Sequence, residues 1–208
     1  MHTEILRPDQ DTVLKKLGRV ADEYGFYLAG GTALALHFGH RRSDDFDWFT
    51  QAMIDDPQML EMNLREQGLT LTEQQISPGT LHAVVDTVHV SFLEYRYPLI
   101  GPVVQLRDYQ CDLASIADIC CMKLAAVAHR GAKKDFIDIY AISKAACLSL
   151  KQMLDLYQQK YSTDDVVSVI YGLSYFEDAE EDAMPEMLQP TNWLDVKREV
   201  SSWVVHYR

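Results

Sequence analysis

One stretch limits what this chain can become more than any other. Residues 27–49 read Tyr-Leu-Ala-Gly-Gly-Thr-Ala-Leu-Ala-Leu-His-Phe-Gly-His-Arg-Arg-Ser-Asp-Asp-Phe-Asp-Trp-Phe. The pattern is a strand, a glycine turn, a helix, a basic turn and a second strand that carries two carboxylates. Gly30 and Gly31 stand where strand hands over to helix, and Ala33, Leu34, Leu36 and Phe38 suit a short buried helix. At such a junction the N–H groups of the first helical turn have no partner inside the helix and favour an anion. Glycine lets the backbone approach a bulky phosphate. Thr32 either caps the helix or gives its hydroxyl to the same anion. Asp45 and Asp47, two residues apart, share one face of a strand. Two carboxylates held together repel, so a fold that keeps them adjacent supplies a cation. Oxygen ligands alone favour magnesium or manganese over zinc. A calcium loop built on Asp44, Asp45 and Asp47 needs an oxygen-rich continuation and a glycine, and Trp48-Phe49 follows instead. A phosphate cradle beside a carboxylate pair is the equipment of two-metal phosphoryl chemistry.

These residues carry a family resemblance. Gly30-Gly31-Thr32, a gap of twelve residues and Asp45-Phe46-Asp47 resemble the signature of the DNA polymerase β-type nucleotidyltransferases. The fuller string Arg41-x-Ser43-x-Asp45-x-Asp47-x-Phe49 resembles the AbiEii/AbiGii toxin branch. So does a second block, from Lys123 through Arg130-Gly131 to Lys133-Lys134-Asp135-Phe136-x-Asp138. The resemblance implies an α+β protein: an N-terminal polymerase β-like nucleotidyltransferase domain with a small mixed sheet, residues 1–112, then a C-terminal helical domain, residues 113–208. It makes Asp45 and Asp47 the metal ligands and catalytic acids, with Mg2+ or Mn2+ as cofactor. It seats the β- and γ-phosphates of a nucleoside triphosphate on Gly30, Gly31 and Thr32, and adds Arg41, Ser43, Arg130 and Lys134 to the nucleotide-binding set.

Several of these positions keep two readings. Arg41 either grips triphosphate oxygens with its fork or makes a surface ion pair. Ser43 either caps the turn or touches a phosphate. A lysine in an apolar helical stripe, as Lys123 is, commonly snorkels to solvent; the resemblance instead sends it to the nucleotide phosphates as a catalytic residue. Asp135 and Asp138 share a helical face. The resemblance assigns Asp135 to the last active-site motif, and either aspartate fits. Polymerase β-type enzymes also place a third carboxylate opposite the pair. Here that position falls on Ser91, with Glu94 and Asp86 as displaced candidates; in their absence Asp135 becomes the candidate base.

Composition bounds the partners. The formal net charge is -12 over 208 residues, which argues against a broad nucleic-acid-binding surface. It is compatible with RNA held at one small basic mouth. The basic clusters His40-Arg41-Arg42 and His129-Arg130-Gly131-Ala132-Lys133-Lys134 either flank the expected site or are simply solvated turns. Cys111, Cys120, Cys121 and Cys147 lack paired zinc spacing and read as free thiols in a reducing compartment. The first residues have no apolar secretory core, and no apolar run approaches a membrane span, so the expected location is the cytoplasm, with no membrane partner.

Along the rest of the chain, helical spacing covers 11–24, capped by Asp9 or Asp11, and 59–65 after Pro57, ending near Gly68. Phe26–Ala29 and Phe46–Phe49 pair as core strands, 69–76 suits an edge strand, and 81–85 and 88–95 form a hairpin turning at Asp86-Thr87. From Leu113 helices dominate: a run through Ala128, then 135–146, then 150–161 capped by Ser149, and 164–176 capped by Thr163. The acidic stretch 177–182 reads as a solvated loop, and 192–205 as an amphipathic helix with Trp193, Val196, Val200, Trp203 and Val204 inward.

The resemblance implies transfer of a nucleoside monophosphate from an NTP to a hydroxyl acceptor. That acceptor is RNA, with tRNA 3′ ends foremost, and the chain is the toxin partner of a cognate antitoxin. Two alternatives stand beside it. A small-molecule, antibiotic-type nucleotidyltransferase uses the same cradle, and an acidic chain suits a cationic drug. A catalytically inactive nucleotidyltransferase-fold binding module is the reading favoured if the third carboxylate is lost.

Overall fold

The computed structural model describes residues 1–207. The chain forms two compact units. The first comprises Met1–His37, Ser43–Pro98 and Pro102–Ala114; the second comprises Phe38–Arg42, Leu99–Gly101 and the chain from Ser115 onward. The division is therefore not one cut: two short segments of the N-terminal half group with the helices.

The first unit is built on a mixed seven-stranded sheet. Its strands are β1 (Tyr27–Ala29), β2 (Phe46–Thr50), β3 (Leu71–Ser77), β4 (Thr80–Val85), β5 (Val88–Glu94), β6 (Val104–Leu106) and β7 (Cys111–Leu113), in the order β3-β4-β5-β2-β1-β7-β6. β1 and β2 pair antiparallel, as their sequence predicts, and β2 runs parallel to β5. β4 and β5 form the expected hairpin, with Asp86 in the left-handed conformation at its turn. β3 is an edge strand. β6 and β7 are not foreseen from sequence; at three residues each they carry too little alternation to be recognised, yet β7 completes the parallel side of β1.

Helix α1 (Pro8–Glu23) packs beside β7 and α3 (Pro57–Glu66) beside β3 and β4. α1 starts earlier than expected. Pro8 opens it with the fixed φ of a first helical residue, and the Gln10 side chain, rather than Asp9 or Asp11, accepts the Arg7 N–H at 3.1 Å. The apolar positions Val13, Leu14 and Leu17 are fully buried, as their spacing requires. The core of the sheet continues through Leu28 on the fully buried β1 and through Phe46, Trp48, Leu81, Val90 and Phe92 on strands that alternate buried and accessible residues.

The second unit is helical: α4 (Ile116–His129), α5 (Lys133–Ala146), α6 (Leu150–Tyr161), α7 (Val167–Ser174), α8 (Glu177–Glu181) and α9 (Trp193–Tyr207). Ser115 caps α4, its hydroxyl accepting the Asp118 N–H at 3.1 Å. Ser149 caps α6 as predicted. Thr163 does not cap α7, which begins four residues later. The acidic stretch forms the short α8 rather than a loop. Phe176 just before it packs against Phe136, tilted, and against Trp193, edge-to-face, at ring distances of 4.9 and 6.0 Å; Ala179 is buried, and Glu180 accepts the Trp193 indole N–H at 3.2 Å. Val196, Val200 and Val204 form the buried stripe of α9. Among the described residues no helix is long and apolar enough to cross a membrane.

Candidate active site

The glycine turn and the second strand meet inside the first unit. Helix α2 (Gly30–Phe38) starts at Gly30, which holds φ +69° directly after β1. Antiparallel pairing sets Ala29 opposite Asp47. The Asp47 carboxylate consequently lies against the turn: a Cβ at Gly30 would fall 2.7 Å from Asp47 Oδ2. Position 30 must be glycine twice over, for its backbone conformation and for the oxygen that fills the space where a side chain would project.

Asp45 lies one residue before β2, half-buried, and extends by one step the alternation that turns Phe46 and Trp48 inward and Asp47 outward. Its carbonyl accepts the Thr32 hydroxyl, which is buried in the first turn of α2. Thr32 thus donates its hydroxyl proton to the protein, tying the start of β2 to the start of α2; its backbone N–H remains part of the helix opening. The approach to Asp45 is held from a third side. Gln10 donates to the carbonyls of Ser43 at 2.7 Å and Asp44 at 3.1 Å, and Arg7 pairs with Asp44 at 2.6 Å.

The third position along this row is settled by register. β2 sets Asp47 beside Ser91, and β4 sets His82 beside Ser91, so Ala29, Asp47, Ser91, His82 and Gln75 form one line across the sheet. Glu94 stands beside Thr50 instead. Its carboxylate accepts the Ile54 N–H at 3.0 Å and pairs with Arg96, and these two contacts hold it below the ordinary glutamate value. Asp86 lies in the hairpin turn, paired with Lys16 at 2.9 Å. Of the three candidates only Ser91 neighbours Asp47. Among the described residues no three His, Cys, Asp or Glu side chains are arranged to hold a metal. The donor set at the turn is two carboxylates, oxygen ligands alone, which fits magnesium or manganese and not zinc.

The second unit gathers the other motif residues into a buried ion cluster. Lys123 on α4 donates to Asp135 at 2.9 Å and contacts Asp138 at 2.7 Å, both on α5. The three-residue spacing puts both carboxylates on one helical face, as predicted. Arg41 grips Asp138 with its fork, Nε to Oδ1 at 2.7 Å and Nη2 to Oδ2 at 2.8 Å, while Nη1 donates to the Arg42 carbonyl. His40 completes the ring around Asp138 at 2.9 Å. Arg130 holds Asp135 through two contacts of 2.8 and 3.0 Å. Gly131, at φ +55°, turns the chain between Arg130 and α5.

Burial pushes both carboxyls up, but Lys123 and Arg41 more than offset it for Asp138, which is held well below the ordinary value, and Arg130 and Lys123 do the same for Asp135. Asp135 and Asp138 are fully buried and remain ionised. Lys123, 5% exposed, does not snorkel, and Arg41, 2% exposed, is not a surface pair: its fork takes a protein carboxylate. Lys134 is exposed and stands apart from the cluster, whereas its neighbour Lys133 is buried and held by Asp182. The sequence reading missed His40 and the caging of Asp138; the clustering of His40-Arg41-Arg42 was the only trace of it.

Comparison with known proteins places this arrangement. Residues 12–97 match the family described as nucleotidyl transferase AbiEii toxin, type IV TA system. The chain is 35% identical over 206 residues to the uncharacterised protein aq_aa25 of Aquifex aeolicus, covering 96% of this chain and 98% of that one. The chain belongs to the AbiEii nucleotidyltransferase toxin family. Its class of activity is nucleotidyl transfer. Among solved structures, this AbiEii-family fold is similar to an antigenic nucleotidyltransferase-like protein from Paracoccidioides brasiliensis, at TM-score 0.58 and 16% identity over 96% of this chain and 94% of that one. It is similar too to the nucleotidyltransferase toxin MenT4 of Mycobacterium tuberculosis, at TM-score 0.56 and 17% identity over 94% of this chain and 82% of that one. At these identities the likeness is one of fold.

Proposed function

We propose that this protein moves a nucleoside monophosphate from a nucleoside triphosphate to a hydroxyl of RNA, with tRNA 3′ ends as the acceptor, in a reaction that needs Mg2+ or Mn2+. We propose further that it does so in the cytoplasm as the toxin of a pair whose antitoxin restrains it. The observation that carries the chemistry is the contact between the Asp47 carboxylate and the Gly30 turn. A metal-binding oxygen and a helix start suited to phosphate share one place.

In this reading Asp45 and Asp47 hold the divalent cation. When bound, that ion supplies positive charge to the triphosphate and to the oxygens between which the phosphoryl group moves. The backbone N–H groups of Gly31 and Thr32 at the opening of α2 bind the β- and γ-phosphates, and the missing side chain of Gly30 lets the tail approach Asp47. Thr32 and Gln10 act by positioning, because their hydrogen bonds fix the backbone on which Asp45 is carried. For the helical unit the proposed roles follow the family's motifs. Lys123, Arg130 and Lys134 contribute positive charge to the nucleotide, Ser43 and Arg41 flank the carboxylates in sequence, and Asp135 and Asp138 keep Lys123 and Arg41 charged and oriented. With three cations around two carboxylates, the cluster retains one positive charge.

The toxin role is supported by the family's description and by MenT4, a nucleotidyltransferase toxin of the same fold. The net charge of -12 favours a second reading, a small cationic acceptor such as an aminoglycoside. One experiment separates them. The protein is incubated with each α-labelled NTP and magnesium, with total tRNA in one series and a panel of cationic drugs in the other, beside an Asp45→Ala control. Label in tRNA, lost in the control and on chelation, is expected; label in a drug alone overturns the RNA assignment.

A further inference from the structure

The strand row that carries Asp47 continues into a pair that the motifs do not use. Ser91, immediately beside Asp47 on β5, has its hydroxyl 3.0 Å from His82 Nδ1 on β4. Ser91 is half-buried while His82 is exposed, so the pair is rooted in the sheet and open to an incoming molecule at its imidazole end. When the ring carries its proton on Nε2, Nδ1 accepts the hydrogen bond from Ser91 Oγ. A hydroxyl bonded to an imidazole is the arrangement in which a proton passes from oxygen to nitrogen. Asp47 itself is the one carboxylate of this row: Ala29 lies on its other side, and Gln75 lies beyond His82.

We infer that Ser91 and His82 together receive the proton of the attacking acceptor hydroxyl. This rests on the nucleotidyl-transfer reading above and adds the base that it lacks. In the step, the acceptor oxygen forms a bond to the α-phosphorus as the bond from that phosphorus to the bridging oxygen breaks, and pyrophosphate leaves with the electron pair of that bond. The acceptor proton passes to Ser91 Oγ while the Ser91 proton passes to His82 Nδ1. Serine is unchanged at the end, and imidazolium returns its proton to solvent from its exposed ring. The buried aspartates of the helical unit are poorly suited to the same task, since Asp135 and Asp138 are each engaged by two or more cationic side chains.

The test uses the full chain, labelled NTPs, magnesium and total tRNA, with a cationic-drug panel run in parallel. His82→Ala and Ser91→Ala are expected to lower transfer by about 10²-fold or more, with magnesium-dependent NTP binding kept within about twofold. His82→Gln preserves a hydrogen-bond acceptor for Ser91 but takes no proton, so it is expected to be as slow as His82→Ala. Ser91→Asp placed in the His82→Ala background is expected to recover about tenfold or more, because a carboxylate accepts the acceptor proton directly. Wild-type rates in His82→Ala or His82→Gln overturn the inference, as does a Ser91→Asp/His82→Ala protein no faster than His82→Ala alone. If the wild-type protein labels no acceptor, the transfer reading itself falls and this inference with it. That outcome is distinguishable, because it appears before any variant is compared.

Discussion

The two units each hold a pair of aspartates from a family motif, and they treat them in opposite ways. In the sheet unit Asp45 and Asp47 are half-buried at the mouth of a glycine turn, where ions from solution can reach them. In the helical unit Asp135 and Asp138 are fully buried and caged by Lys123, Arg41, Arg130 and His40. A carboxylate removed from water must have its charge compensated by the protein itself. One left at a surface can take its compensation from a dissolved cation. The same residue type is thus a ligand in one environment and a structural anchor in the other, and sequence spacing alone does not separate the two.

Mutation should break this symmetry most sharply at Asp138. Asp138→Ala leaves Lys123 and Arg41 buried without their common partner, and unfolding free energy should fall by about 3–5 kcal/mol. Asp45→Asn removes one of two adjacent negative charges and should leave stability unchanged within about 0.5 kcal/mol, while abolishing transfer. Urea denaturation followed by circular dichroism measures both. Equal losses of stability would show that the sheet pair is an anchor too.

Acid gives a second, smaller separation. Asp118, Asp135 and Asp138 all have native carboxyls held below their ordinary value. For Asp118 the burial that pushes the carboxyl up is outweighed by Lys160 at 2.7 Å, by the Ser115 hydroxyl and by the Ile100 N–H. In the unfolded chain these groups titrate near 3.9. The native state therefore binds fewer protons than the unfolded state in this range. The stabilisation is complete above the unfolded value and declines as pH falls through the native values. Asp9, Asp11 and Glu94 in the sheet unit are lowered as well, but they lie near the surface, where solvent screens their partners. Amide exchange from about pH 5 to pH 2 should show α4, α5 and α6 losing protection before β4 and β5. The reverse order would mean that the ion cluster does not govern the helical unit's stability.

Much of the sheet unit was legible because local signals agreed there. The Gly30-Gly31 pair, the alternation of Phe46, Asp47 and Trp48, and the hairpin turn at Asp86-Thr87 each specify one backbone arrangement. The turn even fixes a register: pairing Val85 with Val88 puts His82 opposite Ser91, so that contact was implicit in the sequence. It went unread because His82 belongs to no motif. The helical unit was legible as helices but not as a cluster. Arg41 and Asp138 are 97 residues apart, and nothing local tells a caged arginine from a free one. Likewise, the run from Glu177 to Asp182 looks solvated until Phe176 is seen packed against Phe136.

The smallest effect sharpens the comparison most, because it asks which cations of the helical unit serve the fold and which serve a ligand. Arg130 is more than half exposed and shares Asp135 with Lys123, so Arg130→Ala leaves that carboxylate one buried cation and should cost no more than about 1 kcal/mol. Lys134 is exposed and outside the cluster, and Lys134→Ala should change stability by less than about 0.5 kcal/mol. Any loss of nucleotide affinity in Lys134→Ala is then free of a folding contribution, and titration with a fluorescent NTP reads it directly. If Lys134→Ala weakens binding and Arg130→Ala does so more strongly, the exposed cations of this unit face the nucleotide while the buried ones hold the scaffold. If neither variant changes affinity, Arg130 serves only to hold Asp135, Lys134 is a solvated surface lysine, and the exposed cations of this unit add nothing to nucleotide binding.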